Sequence, residues 1–305
     1  MDFSIVIYNQ HSPYTWVRSE NKAYLLGIAA VLIWSTVASA FKITLDYLDP
    51  LGMLLIASTV STLVLFMVVM IRGKLTDIGN LRSVVRSALT GLINPFSYYV
   101  VLFIAYDRLP AQEAQPLNYT WPIVLALLSI LFLKKRIPCR SVMAILISFS
   151  GVVLISVRPI IMEGPSLDAL GIILALGSGI VWSVYWIIHL RRDSDPEVSL
   201  LINFAFGTLF ILIACLVVGV DMPTEPGGLI GAAYIGAFEM GLTFIIWLKA
   251  LRLTGNTARI SNLIYLSPFL SLIFIHVIVG ENIYITTISG LILIVAGIVI
   301  QGRPR

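Results

Sequence analysis

Long apolar runs alternate with short polar breaks along almost the whole chain. Ten runs stand out, at approximately 23 to 43, 51 to 71, 84 to 106, 111 to 133, 139 to 158, 168 to 190, 197 to 219, 227 to 251, 255 to 279 and 282 to 301. Each matches the roughly 20 residues that a helix needs to cross about 30 Å of hydrocarbon. The loops between them are short and leave no room for a soluble domain. The pattern therefore predicts an all-α integral membrane protein with ten transmembrane helices. Residues 1–22 hold only the short apolar patch FSIVIY, too short and too poorly flanked for a cleavable signal, and are expected to form a cytoplasmic tail.

Composition agrees: 58% of the 305 residues are hydrophobic and 12% charged, with a mean hydropathy of +0.96. A soluble domain carries about twice that charged fraction. The net charge of +4 does not point to nucleic acid, because the cations are unevenly distributed. Assigning loops alternately to two sides puts 17 of the 20 Lys and Arg on one side and leaves only Lys42, Arg108 and Arg158 for the other. Basic loops stay in the cytoplasm, so both termini are expected there, in a multi-pass protein of the cell inner membrane. The two cysteines, Cys139 and Cys215, offer neither a disulfide framework nor metal-ligand spacing.

The second half repeats the first at an offset near 146. VLIWS (31–35) aligns with GIVWS (179–183), Asp49-Pro50 with Asp195-Pro196, Trp121-Pro122 with Ser267-Pro268, and Gly151 with Gly297. Two five-span units, 23–158 and 159–305, follow. An odd number of spans per unit makes the second enter the membrane inverted, and such repeats place a substrate site at their interface near the midplane.

These features resemble the EamA-type drug/metabolite transporter superfamily: ten spans in two five-helix repeats, a Trp in the first helix of each, NLIYLSP in the second half, and the closing VGENIYITTISGLILIVAGIVIQ. Glu113 followed by Asn118-Tyr119-x-Trp121-Pro122 is similar to a motif of bacterial aromatic amino acid exporters. The resemblance implies an inner-membrane carrier with a central cavity that exports a small metabolite.

Several intramembrane polar residues are candidates for its chemistry. In a continuous helix, Pro122 would free the carbonyl of Asn118, in the turn that presents the Asn118 amide and the Tyr119 hydroxyl. Lipid tolerates such a cluster only where it faces protein or a water-filled cavity. Glu113 lies on another face, and Pro116, near the helix start, needs no role. Glu239, halfway along the eighth run, costs at least a few kcal/mol as a buried charge. A carboxylate there can exchange a proton near neutral pH, pair with a substrate ammonium, or stay protonated and join two helices. Trp34 and Trp182 correspond by the repeat, and with Asn118, Tyr119, Trp121 and Tyr265 they are expected to border the substrate cavity; Glu239 and Glu113 are the candidates for coupling or gating. The stripe Ser87, Thr90, Asn94, Ser97, Tyr98 and the set Ser35, Ser39, Lys42, Asp46 suit either an aqueous path or helix contacts, with Lys42 and Asp46 placed as a surface pair. Gly171, Ala175 and Gly179 suggest close helix packing, Trp186 and His189 an interfacial belt, and His276 a helix-contact residue.

No Walker-type sequence, HExxH pair or Gly-x-Ser-x-Gly elbow occurs. A secondary transporter without cofactor or metal is therefore the leading reading, its partners being a small-molecule substrate, the bilayer and, in a coupled version, protons. Uptake or facilitative carriage, an intramembrane enzyme and a structural subunit are the alternatives. The pattern sets no oligomeric state.

Overall fold

The computed structural model describes residues 19–79, 81–132, 139–162, 168–189, 195–221, 225–254, 260 and 263–302, and these contain helices and no strand. Arg18, residues 134–136, Arg191, Arg192, Arg259, Arg303 and Arg305, all assigned above to the basic side, lie outside them. In chain order the helices are α1 (Glu20–Leu45), α2 (Pro50–Ile71), α3 (Leu81–Gly91), α4 (Tyr98–Arg108), α5 (Ala111–Asn118), α6 (Trp121–Phe132), α7 (Cys139–Met162), α8 (Ala169–His189), α9 (Pro196–Val218), α10 (Pro226–Tyr234), α11 (Thr243–Leu253), α12 (Ser267–Phe274) and α13 (Ile285–Gly302). Six stretches are helical, long and apolar enough to cross a membrane: Glu20–Leu45, Pro50–Ile71, Ser83–Arg108, Ala169–Ile188, Pro196–Val218 and Pro226–Leu253. Shorter apolar helices occupy Val142–Ile155, Leu263–Val279 and Ile285–Ile300. The chain is thus a helical, multi-pass membrane protein.

The structure revises several of the expected spans. The first helix begins at Glu20, inside the expected tail. The third run is interrupted at Asn94 (φ −142°, ψ 121°), between α3 and α4. The cause is local, because Pro95 cannot donate to the helix ladder and disfavours helical geometry in the residue before it. The fourth run is two helices, α5 and α6, separated at Tyr119 and Thr120. Between α10 and α11 the eighth run stays helical but widens into a π-helical segment, Ile235–Leu242. Part of the ninth run lies outside the described residues, and the tenth starts at Ile285.

Two helix starts share one device. Asp49 accepts from the backbone N–H groups of Leu51 and Gly52 at 2.9 and 3.0 Å, and Asp195 from those of Glu197 and Val198 at 2.9 and 3.3 Å, with Pro following as the first helical residue in both. Asp195 also accepts from Lys74 at 2.6 Å, while Glu197 accepts from Lys74 at 3.0 Å and pairs with Arg72. Burial alone would raise the Asp195 carboxyl, but the Lys74 ammonium and the two N–H groups outweigh it and hold its pKa below the ordinary 3.8. A carboxylate depressed in the folded state adds stability above its ordinary value and loses it as pH falls through the folded value. Asp195→Ala is therefore expected to cost about 1 to 2 kcal/mol near neutral pH, a penalty that shrinks below about pH 4. Thermal denaturation in detergent across pH checks this, and a constant penalty down to pH 3 would contradict it.

Close contacts recur at a fixed spacing. The Thr62 and Thr208 hydroxyls, 146 positions apart, lie 3.1 Å from each other, and Ser148 Oγ donates to the carbonyl of Ile294, also 146 positions away. A side chain at Gly91 would strike the carbonyl of Asn203, and one at Gly236 that of Ala57, so α3 meets α9 as the segment after α10 meets α2. Gly151 abuts the Gly290 carbonyl, and Gly297 abuts that of Ala144. Small residues let helix backbones approach in this way. They also account for most of the expected polar stripe: Ser87, Thr90 and Asn94 are buried in this region.

Candidate functional site

A cavity of about 170 Å³ lies among α1, α4, α5, α6, α8, the segment from Glu239 through α11, and the turn Leu263–Leu266 before α12. That is room for on the order of ten water molecules. In the ten-run numbering the walls come from the first, third and fourth runs and from the sixth, eighth and ninth, which occupy matching places in the two halves.

The cavity wall includes Trp34, Asn118, Tyr119, Trp121, Trp182 and Tyr265, together with Glu239. Glu113 is absent from the wall and buried in the first turn of α5. Pro122 also faces the cavity, but not as a kink in one long helix. It is the second residue of α6, where its missing N–H costs little. The break places Asn118 and Tyr119 at the end of α5. Asn118 Nδ2 donates to Ser178 Oγ of α8 at 2.8 Å. Ser183 Oγ donates to the carbonyl of Trp121 at 2.9 Å, and Gly179 lets α8 approach the Asn118 carbonyl and the backbone of Trp121. The small-residue face of α8 therefore holds the broken helix in position.

Rings form a continuous wall. Trp182 lies 4.6 Å from Tyr98, 5.9 Å from Phe244 and 6.5 Å from Trp121, centroid to centroid. Trp34 lies 5.7 Å from Phe244 and 5.5 Å from Trp247. Such pairs add about 0.5 to 1.5 kcal/mol each beyond area burial, so the wall is a packed unit. The sequence reading did not name Phe244, Trp247 and Trp186 as cavity residues, and it gave Tyr98 only within a stripe suited to either an aqueous path or helix contacts. Phe244 and Trp247 do stand at i and i+3, one face of a helix, downstream of Glu239.

Glu239 sits in the widened π-helical segment, where such bulges turn side chains away from the regular helical register. Its Oε1 accepts from the Tyr99 hydroxyl at 3.3 Å, and its Oε2 is buried without a hydrogen-bond partner. On the side of Tyr106, Lys42 does not pair with Asp46: its Nζ donates to the carbonyls of Tyr106 and Leu109 at 3.0 and 3.1 Å, tying α1 to the end of α4. Phe41 packs on Phe103 and Tyr106 beside it. Glu281 caps the first turn of α5 from a distant part of the chain, accepting from Ala111 N and Gln112 N at 2.7 and 3.0 Å. His276 Nδ1 is 2.9 Å from the Glu281 carbonyl, a local helix-end contact. Among the described residues no group of three or more His, Cys, Asp or Glu side chains could hold a metal ion.

The EamA-like transporter family profile matches this chain twice, at residues 21–157 and 169–302, and the chain belongs to that family. It is 26% identical over 297 residues to an uncharacterized transporter of Clostridium kluyveri, covering 92% of this chain and 93% of that protein. It is 24% identical over 262 residues to the aromatic amino acid exporter YddG of Ancylobacter novellus, covering 85% and 89%. A crystal structure at 22% identity superposes with a TM-score of 0.65 over 92% of this chain and 96% of the other, a likeness of fold. The family and these relatives are membrane transporters, which is not an enzyme class.

Proposed function

We propose that the chain is a secondary transporter of two inverted five-helix repeats, 23–158 and 159–305, which exports a small metabolite such as an amino acid across the inner membrane by alternating access. The observation that carries this reading is the cavity itself, walled by matching runs of both halves and holding a carboxylate, Glu239. Contacts between residues 146 apart favour the inverted arrangement, because elements related by a local two-fold axis touch their own counterparts near that axis. The double family match supports two units of similar sequence. The cation asymmetry favours cytoplasmic termini. Export is the direction suggested by the name of the YddG relative. Coupling is assigned to a proton on Glu239, whose free oxygen can accept one. Glu113, away from the cavity wall, is given no part.

Reconstitution tests this. Proteoliposomes loaded with a labelled amino acid and amine panel are expected to release at least one solute in a protein-dependent manner. Trp182→Ala and Asn118→Ala should slow that release by about tenfold or more while the protein remains folded in gel filtration. Cysteine labelling should reach residues 74–79 from the cytoplasmic side and residues 46–49 from the other. Labelling of both segments from one side would reject the topology, and wild-type flux in both cavity variants would reject the site.

A further inference from the structure

The chemistry of the cavity wall narrows the solute. Among the described residues that line it, Glu239 is the one acidic side chain, and no Lys, Arg or His joins it there. Its Oε2 is buried without a partner, an acceptor left unsatisfied until a donor or a proton reaches it. Gln115 Oε1, on the same wall, is likewise buried without a partner, whereas the Asn118 amide nitrogen already has one in Ser178 Oγ. A solute carboxylate would therefore meet a second carboxyl group and, among the described wall residues, no basic side chain. An ammonium meets the opposite environment. Trp34, Phe244, Trp182 and Tyr98 form an unbroken chain of ring contacts beside the carboxylate, and ring faces attract cations most strongly where water is excluded. A carboxylate and an aromatic wall together are complementary to a positive charge on an apolar body.

Resting on the reading of this cavity as the solute site, we propose that the exported metabolite is an organic amine, an ammonium on an aromatic or bulky apolar body without a free carboxylate, rather than a zwitterionic amino acid. Glu239 pairs with the ammonium, and the rings enclose its body. This selects against the substrate in the name of the YddG relative on charge alone, since an aromatic body suits both.

Three probes that share an indole ring separate the possibilities: tryptamine, tryptophan and indole-3-propionate. They are titrated calorimetrically into the purified full-length protein in lipid nanodiscs at neutral pH. Tryptamine is expected to bind about tenfold or more tightly than tryptophan, with indole-3-propionate weakest. Glu239→Gln should weaken tryptamine by about tenfold and narrow its lead over tryptophan. The comparison among probes uses wild-type protein, so it stands even where the variant fails to fold. Tryptophan binding as tightly as tryptamine, tryptamine failing to bind, or full tryptamine affinity in a folded Glu239→Gln protein overturns the inference. The carrier reading is judged separately by flux: transport of a zwitterion or anion refutes the amine and keeps the carrier, whereas no flux of any solute in the panel removes both.

Discussion

Glu239→Gln is expected to give folded, membrane-inserted protein whose transport falls by about tenfold to a hundredfold, the equivalent of about 1.5 to 3 kcal/mol for a hydrogen bond to a charged group in a desolvated site. Gln keeps the size of the side chain and an oxygen for the Tyr99 hydroxyl, now 3.3 Å from Oε1. It removes the charge and the ability to titrate. The titratable groups around Glu239 are phenols, Tyr98, Tyr99 and Tyr106 on α4 and Tyr119 at the end of α5, and among the described residues no second carboxylate or basic side chain lines the cavity to take over its role. Any pH dependence of wild-type flux that arises from this site should therefore flatten in the variant. Initial rates in proteoliposomes across a series of pH values measure both effects. Wild-type rates with an unchanged pH profile would remove Glu239 from the coupling step.

How far the sequence anticipates this site depends on how local each signal is. Glu239 is conspicuous because a carboxylate deep in an apolar run is costly, and Trp34 and Trp182 are found by comparing the halves. Tyr98 is less legible, since Asn94 and Pro95 interrupt the third run and detach it from the polar stripe expected to run through it. Pro122 is ambiguous for a related reason: the same residue kinks a continuous helix or begins a new one, and the packing of Gly179 and Ser183 against the break accompanies the second outcome. Glu281 illustrates what spacing alone cannot provide. Its carboxylate caps α5 across 170 residues of sequence, and Gln112 answers by donating to the carbonyl of Asn282 at 2.9 Å and accepting from Thr287 Oγ1 at 3.2 Å. A cap supplied by a distant segment has no short-range signature, unlike the Asp-Pro starts of α2 and α9, where the capping residue adjoins the helix it caps.

Gly236→Val is expected to produce the largest loss of stability, with little monodisperse protein recovered. Any Cβ at Gly236 would overlap the carbonyl, carbonyl carbon and Cα of Ala57 in α2. Backbone cannot rotate aside as a flexible side chain can, so the helices must separate. Forcing added atoms into packed contacts costs about 1 to 3 kcal/mol and at times more, and a β-branched side chain adds χ1 restriction in a helix. Separation would also disturb the π-helical segment that carries Glu239, linking a packing defect to the cavity. Gly91 meets the backbone of Asn203 and Gly207 in α9 in the same manner, so Gly91→Val should be damaging to a similar degree if the two halves pack alike. Gly177 supplies the contrast. Nothing lies within 4 Å of an added Cβ there, and alanine is favoured over glycine in a helix by up to about 1 kcal/mol, so Gly177→Ala should be neutral or stabilising. Melting temperatures by fluorescence-detected gel filtration rank the three. Gly236→Val as stable as Gly177→Ala would show that the approach of α2 to the Glu239 segment is not close, and a severe loss at Gly236 with none at Gly91 would contradict matched packing in the two halves.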